Sequence, residues 1–248
     1  MKLPREEEAA RKAAYKKMRP AEKLDYIVSY YKGQLILICL ALFILVWIIV
    51  HFAMKKEPVL YLGLLNLSVS DETVELLTKE FLEEQGYNPG KYEVVFYPAL
   101  YISEDPAAQN HEYAYASQLK LMASLNAKTM DLMIMNREAY DILSAGGYLM
   151  PLEGFLKGEL SGRTAGRLVS NTVILSDNDI EHRLDESIPY RAETEEVANA
   201  ILISAFPRFA RAEFSGDVYL GVIGNSERTE AVLQYIDYLT SPSQDGAK

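Results

Sequence analysis

The chain has 248 residues, a formal net charge of −10 and one cysteine. A lone cysteine excludes an intrachain disulfide and a cysteine-based zinc or redox centre. The charge is split: residues 1–56 carry 11 Lys or Arg against 5 Asp or Glu, and residues 58–248 carry 14 against 29, an acidic excess that argues against binding to nucleic acid or an anionic lipid face, both of which need cationic patches, and that suits a basic partner.

Residues 1–33 read as a basic, helical cytoplasmic segment. PREEEAARKAAYKKM is rich in Ala, Glu and Lys, and Glu8 with Lys12 forms a favourable i,i+4 pair. Pro20 suits the first turn of a second helix, in which Leu24, Ile27, Val28 and Tyr31 make one apolar stripe. Two readings stay open, an amphipathic helix on the inner membrane face or against a partner, and a charged stop before the next segment.

Residues 34–54 predict a transmembrane helix. Every residue from Leu35 to Val50 is apolar, whereas a soluble core helix shows polar residues every third or fourth place. A cleavable signal has a shorter apolar core and a small-x-small site behind it; here His51-Phe52-Ala53-Met54-Lys55-Lys56 follows. Tyr26, Tyr30 and Tyr31 precede the run, and Trp47 and Phe52 lie near its far end, as interfacial aromatics do. Nine Lys or Arg in residues 1–33, against Lys55 and Lys56 beyond the span, place the N-terminus in the cytoplasm and the rest of the chain outside the cell membrane.

Residues 58–242 read as an extracytoplasmic α/β domain and residues 243–248 as a flexible tail. VLYLGLLNLSV is a buried-strand pattern. Ser70 or Asp71 caps a helix with Val74, Leu77, Phe81 and Leu82 on one face, ended by Gly86. KYEVVFYPAL predicts a second strand. HEYAYASQLKLMASLNAKT predicts a helix with Tyr115, Leu119, Met122 and Leu125 on its apolar face. MDLMIMN is a short strand, REAYDILSAGG a helix ended by glycine, and YLMPLE an extended run. Farther on, NTVILS reads as a strand, TEEVANAILISAF as a helix, DVYLGVIGNS as a strand and ERTEAVLQYIDYLTSP as an amphipathic helix with Val232, Ile236 and Leu239 on one stripe. Strands alternating with helices imply a mainly parallel sheet covered by helices.

Catalytic signatures are incomplete. Ser117-x-x-Lys120 and Ser176-Asp177-Asn178 follow the order of penicillin-binding enzymes, but no Lys-Ser/Thr-Gly strand comes after them. His111-Glu112 lacks a second histidine at helical spacing, so it is not a zincin site. Asp177, Asp179 and Glu181 in SDNDIEH lack the glycine and terminal glutamate of a calcium loop and read as a solvated acidic loop. Neither a metal nor a cofactor is expected, and the expectation is a protein that is not an enzyme.

YASQLKLMASLNAKTMDLMIMNREAYDILSAGGYLMPLE, with the later VYLGVIGNSERTEAVLQYIDYLTSP, resembles the bacterial extracellular solute-binding proteins of transport systems. The resemblance rests on the Asp131-Leu132-Met133-Ile134 strand, on Gly146-Gly147 leading to Leu149-Met150-Pro151-Leu152, and on the Asn225-Ser226 turn opening a helix that ends in Tyr238-Leu239. It implies a periplasmic-binding-protein-like fold that binds a small solute beside a transporter. That family has two lobes, but only about sixty residues separate Pro151 from Val218, so a reduced, one-lobed form with a transmembrane anchor is expected. Two other readings are a structural or regulatory subunit of a membrane complex, such as an ABC transporter, with no small ligand, and a cell-envelope serine hydrolase.

In open parallel sheets ligands sit at the carboxyl ends of strands, near a topological switch. Those ends supply the expected ligand-binding residues Asn66, Ser68, Tyr97, Tyr101, Asn136, Arg137 and Asn225. The tyrosines, with Tyr113, offer faces for a sugar or another flat ligand.

Overall fold

The apolar run is one uninterrupted helix, α1 (Lys32–Ala53), in the computed structural model, which describes residues 19–20, 32–53, 55–105, 112–212, 214 and 216–242. Its 22 residues are long and apolar enough to cross a membrane, spanning about 33 Å at 1.5 Å per residue. Its large apolar side chains from Ile36 to Val50 are exposed, Phe43 and Trp47 among them. Apart from residues 19–20 and 32–33, the cytoplasmic segment expected in residues 1–33 lies outside the described residues, as do the tyrosines at 26, 30 and 31, His111 and the tail 243–248.

The chain divides into two compact units, Met1–Lys55 and Lys56–Lys248. The second is α/β. Strand β1 (Glu57–Leu65) leads to α2, which starts as Asp71–Glu75, widens to a π turn at Leu76–Glu80 and returns to α geometry over Phe81–Glu84. Then come β2 (Tyr92–Leu100), α3 (Glu112–Asn126), β3 (Leu132–Met135) and α4 (Arg137–Ala145). The remainder is α5 (Gly158–Thr164), β4 (Leu168–Asp177), α6 (Asp179–Leu184), β5 (Ala192–Leu202), two 3-10 turns, β6 (Tyr219–Val222) and α7 (Thr229–Thr240).

Local chemistry explains the boundaries. Ser70 caps α2 through its hydroxyl, which accepts from Thr73 N, and Asn136 caps α4 by accepting from Ala139 N at 3.0 Å. Gly86 and Gly147 end their helices at φ 72° and 69°, a region that side chains resist. Where α2 widens, the hydroxyls of Tyr238 and Tyr235 on α7 donate to the carbonyls of Leu76 and Leu77, at 2.6 and 2.7 Å. These bonds satisfy backbone acceptors at the irregular turn.

The six strands form one sheet in the order β2-β1-β3-β6-β5-β4. Here the sequence reading needs correction, because the sheet is mixed and not mainly parallel. β1 runs parallel to β2 and β3, while the pairs β3–β6, β6–β5 and β5–β4 are antiparallel. Leu60, Leu62, Leu64, Leu132 and Ile134 pack under α2 and α7 on one face. Leu65, Met133, Met135 and Tyr219 pack under α3 and α4 on the other. Central strands covered on both faces explain the continuous apolar runs.

Three further expectations change. TEEVANAILISAF is not a helix, since Ala192–Leu202 is strand β5, followed by a 3-10 turn at Ile203–Ala205. The buried face of α3 is Ala114, Ser117, Leu121, Ser124 and Leu125, so Tyr115 and Leu119 point outward. Small residues bring α3 close to the sheet, and the Ser117 hydroxyl accepts from Tyr101 N at 2.5 Å. SDNDIEH is helical over Asp179–Leu184, although none of that helix is buried.

Candidate functional site

Strand order reverses at β1, whose chain neighbours β2 and β3 lie on opposite sides of it. The loops leaving these strands therefore diverge and leave a crevice between them. A cavity of about 340 Å³ occupies that position, lined by Asn66, Leu67, Ser68, Ala99, Leu100, Tyr101, Tyr113, Asn136 and Glu138. Four residues expected from sequence, Asn66, Ser68, Tyr101 and Asn136, meet there.

The other three do not. Tyr97 sits within β2 opposite Gly63, with the Lys120 ammonium 5.1 Å from its ring centre. Arg137 pairs with Asp141 at 2.9 Å, and its guanidinium lies over the rings of Tyr140 and Tyr219. The bond to Asp141 is the largest cause of its raised pKa. Asn225 follows β6, which runs antiparallel to β3, so the end of β6 lies beside the start of β3, where Ile223 N donates to Asp131 O. Asn225 is thus at the opposite end of the sheet, donating to Leu125 O at 2.8 Å.

Much of the crevice's polarity is used internally. Asn66, at φ 57°, donates through Nδ2 to Ile102 O at 2.7 Å and accepts from Ile102 N at 2.9 Å. This two-point clamp ties the β1 exit to the β2 exit. Asn136 is the α4 cap, and the Tyr113 hydroxyl donates to Ala99 O. Ser103 Oγ donates to Glu138 at 2.6 Å. Exposed Ser68, half-buried Tyr101 and the Glu138 carboxylate oxygen that Ser103 does not engage are left to face an incoming group. The Tyr101 and Tyr113 rings stand 6.4 Å apart, tilted by 42°. Sequence reading missed Glu138 and Ala99. Glu138 adjoins the chosen Arg137 in the first turn of α4, but nothing in its type distinguished it, and the positive φ of Ala99, 56°, has no sequence signature.

Two larger hollows, of about 490 and 530 Å³, border α7 near Phe155 and Leu233 and near Tyr92 and Glu230. Neither lies at the strand-order reversal. The Ser-x-x-Lys pair is not joined as a nucleophile and base, because Ser117 Oγ is held by Tyr101 N while Lys120 rests over Tyr97. Among the described residues no group of three or more His, Cys, Asp or Glu side chains could hold a metal ion.

Buried polar side chains serve the framework. Asp131, fully buried, accepts from Tyr61 N at 2.9 Å and Ser226 Oγ at 2.6 Å, with Arg228 at 3.4 Å. It fastens the middle of β1 and the start of β3 to the turn before α7, which explains an aspartate ahead of an apolar strand. Tyr140, Asn199 and Ser144 form a second buried set. The Tyr140 hydroxyl lies 2.9 Å from both Val169 O and Asn199 Oδ1, and Asn199 Nδ2 donates to Ser144 Oγ at 2.7 Å. Burial pushes the Tyr140 pKa upward.

Compared with protein-family models, curated proteins and solved structures, the chain finds no match.

Proposed function

We propose that this chain is a single-pass, membrane-anchored binding module without catalytic activity. In this reading α1 holds it in the cell membrane, the basic N-terminal segment stays in the cytoplasm, and the α/β unit faces outside. The unit takes a small solute in the crevice beyond β1 and β3, in the manner of one lobe of a bacterial solute-binding protein. The observation that carries this reading is the meeting of Asn66, Ser68, Tyr101 and Asn136 at the reversal of strand order. The two asparagines shape the loops, and Ser68, Tyr101 and Glu138 contact the ligand.

A ligand that binds only the folded state raises the melting temperature by mass action. Full-length protein in detergent, screened with sugars, amino acids and short peptides, is expected to shift with one class. Tyr101→Ala and Ser68→Ala should remove that shift without moving the unliganded midpoint by more than a few degrees. No shift with any class counts against the solute. Orientation is tested separately by a cysteine at exposed Lys157, which an impermeant maleimide should label on intact cells. Labelling only after lysis would reverse the proposed topology.

A second reading, a structural or regulatory subunit of a membrane complex with no small ligand, is favoured by one observation. The residues between Pro151 and Val218 build β4 and β5 onto the same sheet, so among the described residues no second lobe closes over the crevice.

A further inference from the structure

We propose that the outer half of the β4–β5 ribbon, together with α6, is a docking arm for a partner protein whose contact surface is apolar at its centre and basic around it. The ribbon has a fastened base and a free end. β5 pairs with β6 only at Ala200, Ile201 and Leu202. From Val197 back to Ala192 its sole strand partner is β4, over pairs such as Asn171–Val197 and Asp177–Ala192. Those six residues extend about 20 Å at 3.3 Å each. The base is held by the Tyr140–Asn199–Ser144 set and by Asn171 Nδ2, which donates to Asp141 at 2.6 Å. The end is capped by α6, none of whose residues is buried.

The free end carries apolar side chains that the fold does not cover. Ile180 and Leu184 are 75 and 83 % exposed and sit four residues apart on α6, on one face, with Leu175, Ile188 and Tyr190 also in solvent. Single exposed apolar residues are ordinary, but several confined to one projecting element mark a contact surface.

Charge selects the occupant. Residues 175–196 hold eight carboxylates (Asp177, Asp179, Glu181, Asp185, Glu186, Glu193, Glu195 and Glu196) and two guanidiniums (Arg183 and Arg191), a net −6 in 22 residues. Residues 58–248 as a whole carry −15, from 14 Lys or Arg against 29 Asp or Glu, so the arm has more than three times the average density. A two-fold contact with a second copy would set −6 against −6, and an anionic lipid face would repel it equally. A basic protein surface is the complement that remains. The inference does not depend on the crevice holding a solute.

The test places a photoreactive amino acid at Leu184 in the full-length protein in native membranes, with Leu119 on α3 as the control position. The expected result is one crosslinked protein from Leu184 and none from Leu119, with the mapped site on a segment of net positive charge. The triple variant Glu181→Lys, Glu186→Lys, Glu195→Lys changes the arm from −6 to 0, and should reduce the crosslink about tenfold, as should raising the salt. Ile180→Ser with Leu184→Ser should weaken co-purification of the same partner while the melting midpoint stays put. A product containing a second copy of this chain overturns the proposal. So do labelling of lipid only, equal yield from Leu119, or a yield unmoved by salt and by charge substitution.

Discussion

The two halves of the sheet are built differently. In β1, β3 and β6 nearly every residue from Leu60 inward is buried, and β3 and β6 are buried throughout. In β4 no residue is fully buried, and the first five residues of β5 are exposed. The first set is a three-layer core that excludes water from both faces. The second is a ribbon whose inner end belongs to that core and whose outer end stands in solvent. A single sheet thus holds a stability-bearing half and a projecting half, and removing a side chain should cost very different amounts in each.

The largest effect is expected at the centre. Leu62, fully buried on β1 among the residues of α2 and α7, leaves a cavity when cut to alanine. Leu62→Ala should destabilise the folded unit by about 3 kcal/mol, within the usual span for buried leucine truncations. Urea unfolding followed by far-UV circular dichroism measures it. A loss below about 1 kcal/mol would mean that the core yields around the gap and that the contrast between the halves is overstated.

The junction between halves should come next. Asn199 is fully buried on β5 and links Tyr140 to Ser144. Asn199→Ala removes one of the two acceptors beside the Tyr140 hydroxyl and the donor to Ser144 Oγ, and losing buried hydrogen bonds of this kind costs about 1–3 kcal/mol. The change should also loosen the ribbon relative to the core. Hydrogen exchange should then rise at the amides of Val169–Thr172 more than at those of β1. A uniform rise across the sheet would show that the ribbon base and the core open together.

This contrast also accounts for what the sequence revealed. Runs such as LGLL, LMIM and YLGV announce strands buried on both faces, and Ser70, Gly86 and Gly147 mark helix ends. The α/β class and five of the seven helices described in the second unit or spanning segment follow from such local signals or from plain apolarity; α5 was not read, and α6 was read as an acidic loop. β5 is different. Glu195, Glu196, Ala198 and Ala200 are good helix formers, and the strand exists because it pairs with β4 and β6, which local propensity does not encode. Strand direction is equally silent. The apolar run of β6 reads the same whichever way it points, so Asn225 was assigned to the wrong end of the sheet. The exits of β1, β2 and β3 were read correctly, which is why four of seven site residues meet.

At neutral pH the buried tyrosines add no pH dependence, but in alkali they should. Burial raises the pKa of Tyr140, Tyr235 and Tyr238 above the ordinary 10.0. A raised folded value means that the folded state keeps its proton where the unfolded chain has lost it. The associated stability is complete below pH 10.0 and drains away as pH climbs through and beyond that value. Urea midpoints should therefore hold from pH 7 to 9 and fall above 10. Tyr140→Phe should make the alkaline fall shallower, at the expense of the hydroxyl's bonds to Val169 and Asn199. Because Tyr140 sits at the junction and the other two belong to α7 and bond to α2, Tyr140→Phe reports on a different part of the core from Tyr235→Phe and Tyr238→Phe.

The smallest effect is expected at the ribbon end. Leu184→Ser replaces a side chain that is 83 % exposed and belongs to a helix with no buried residue. Surface substitutions away from caps, networks and strained backbone stay within about 0.5 kcal/mol, and the unfolding midpoint should not move beyond that. A loss as large as that of Asn199→Ala would mean that Leu184 is covered in solution by part of its own chain or by a second copy. The projecting half would then be a packed half, and the contrast with the core would vanish. An unchanged midpoint leaves Leu184 with no part in stability, so that any loss of association in the same variant belongs to the contact surface and not to the fold.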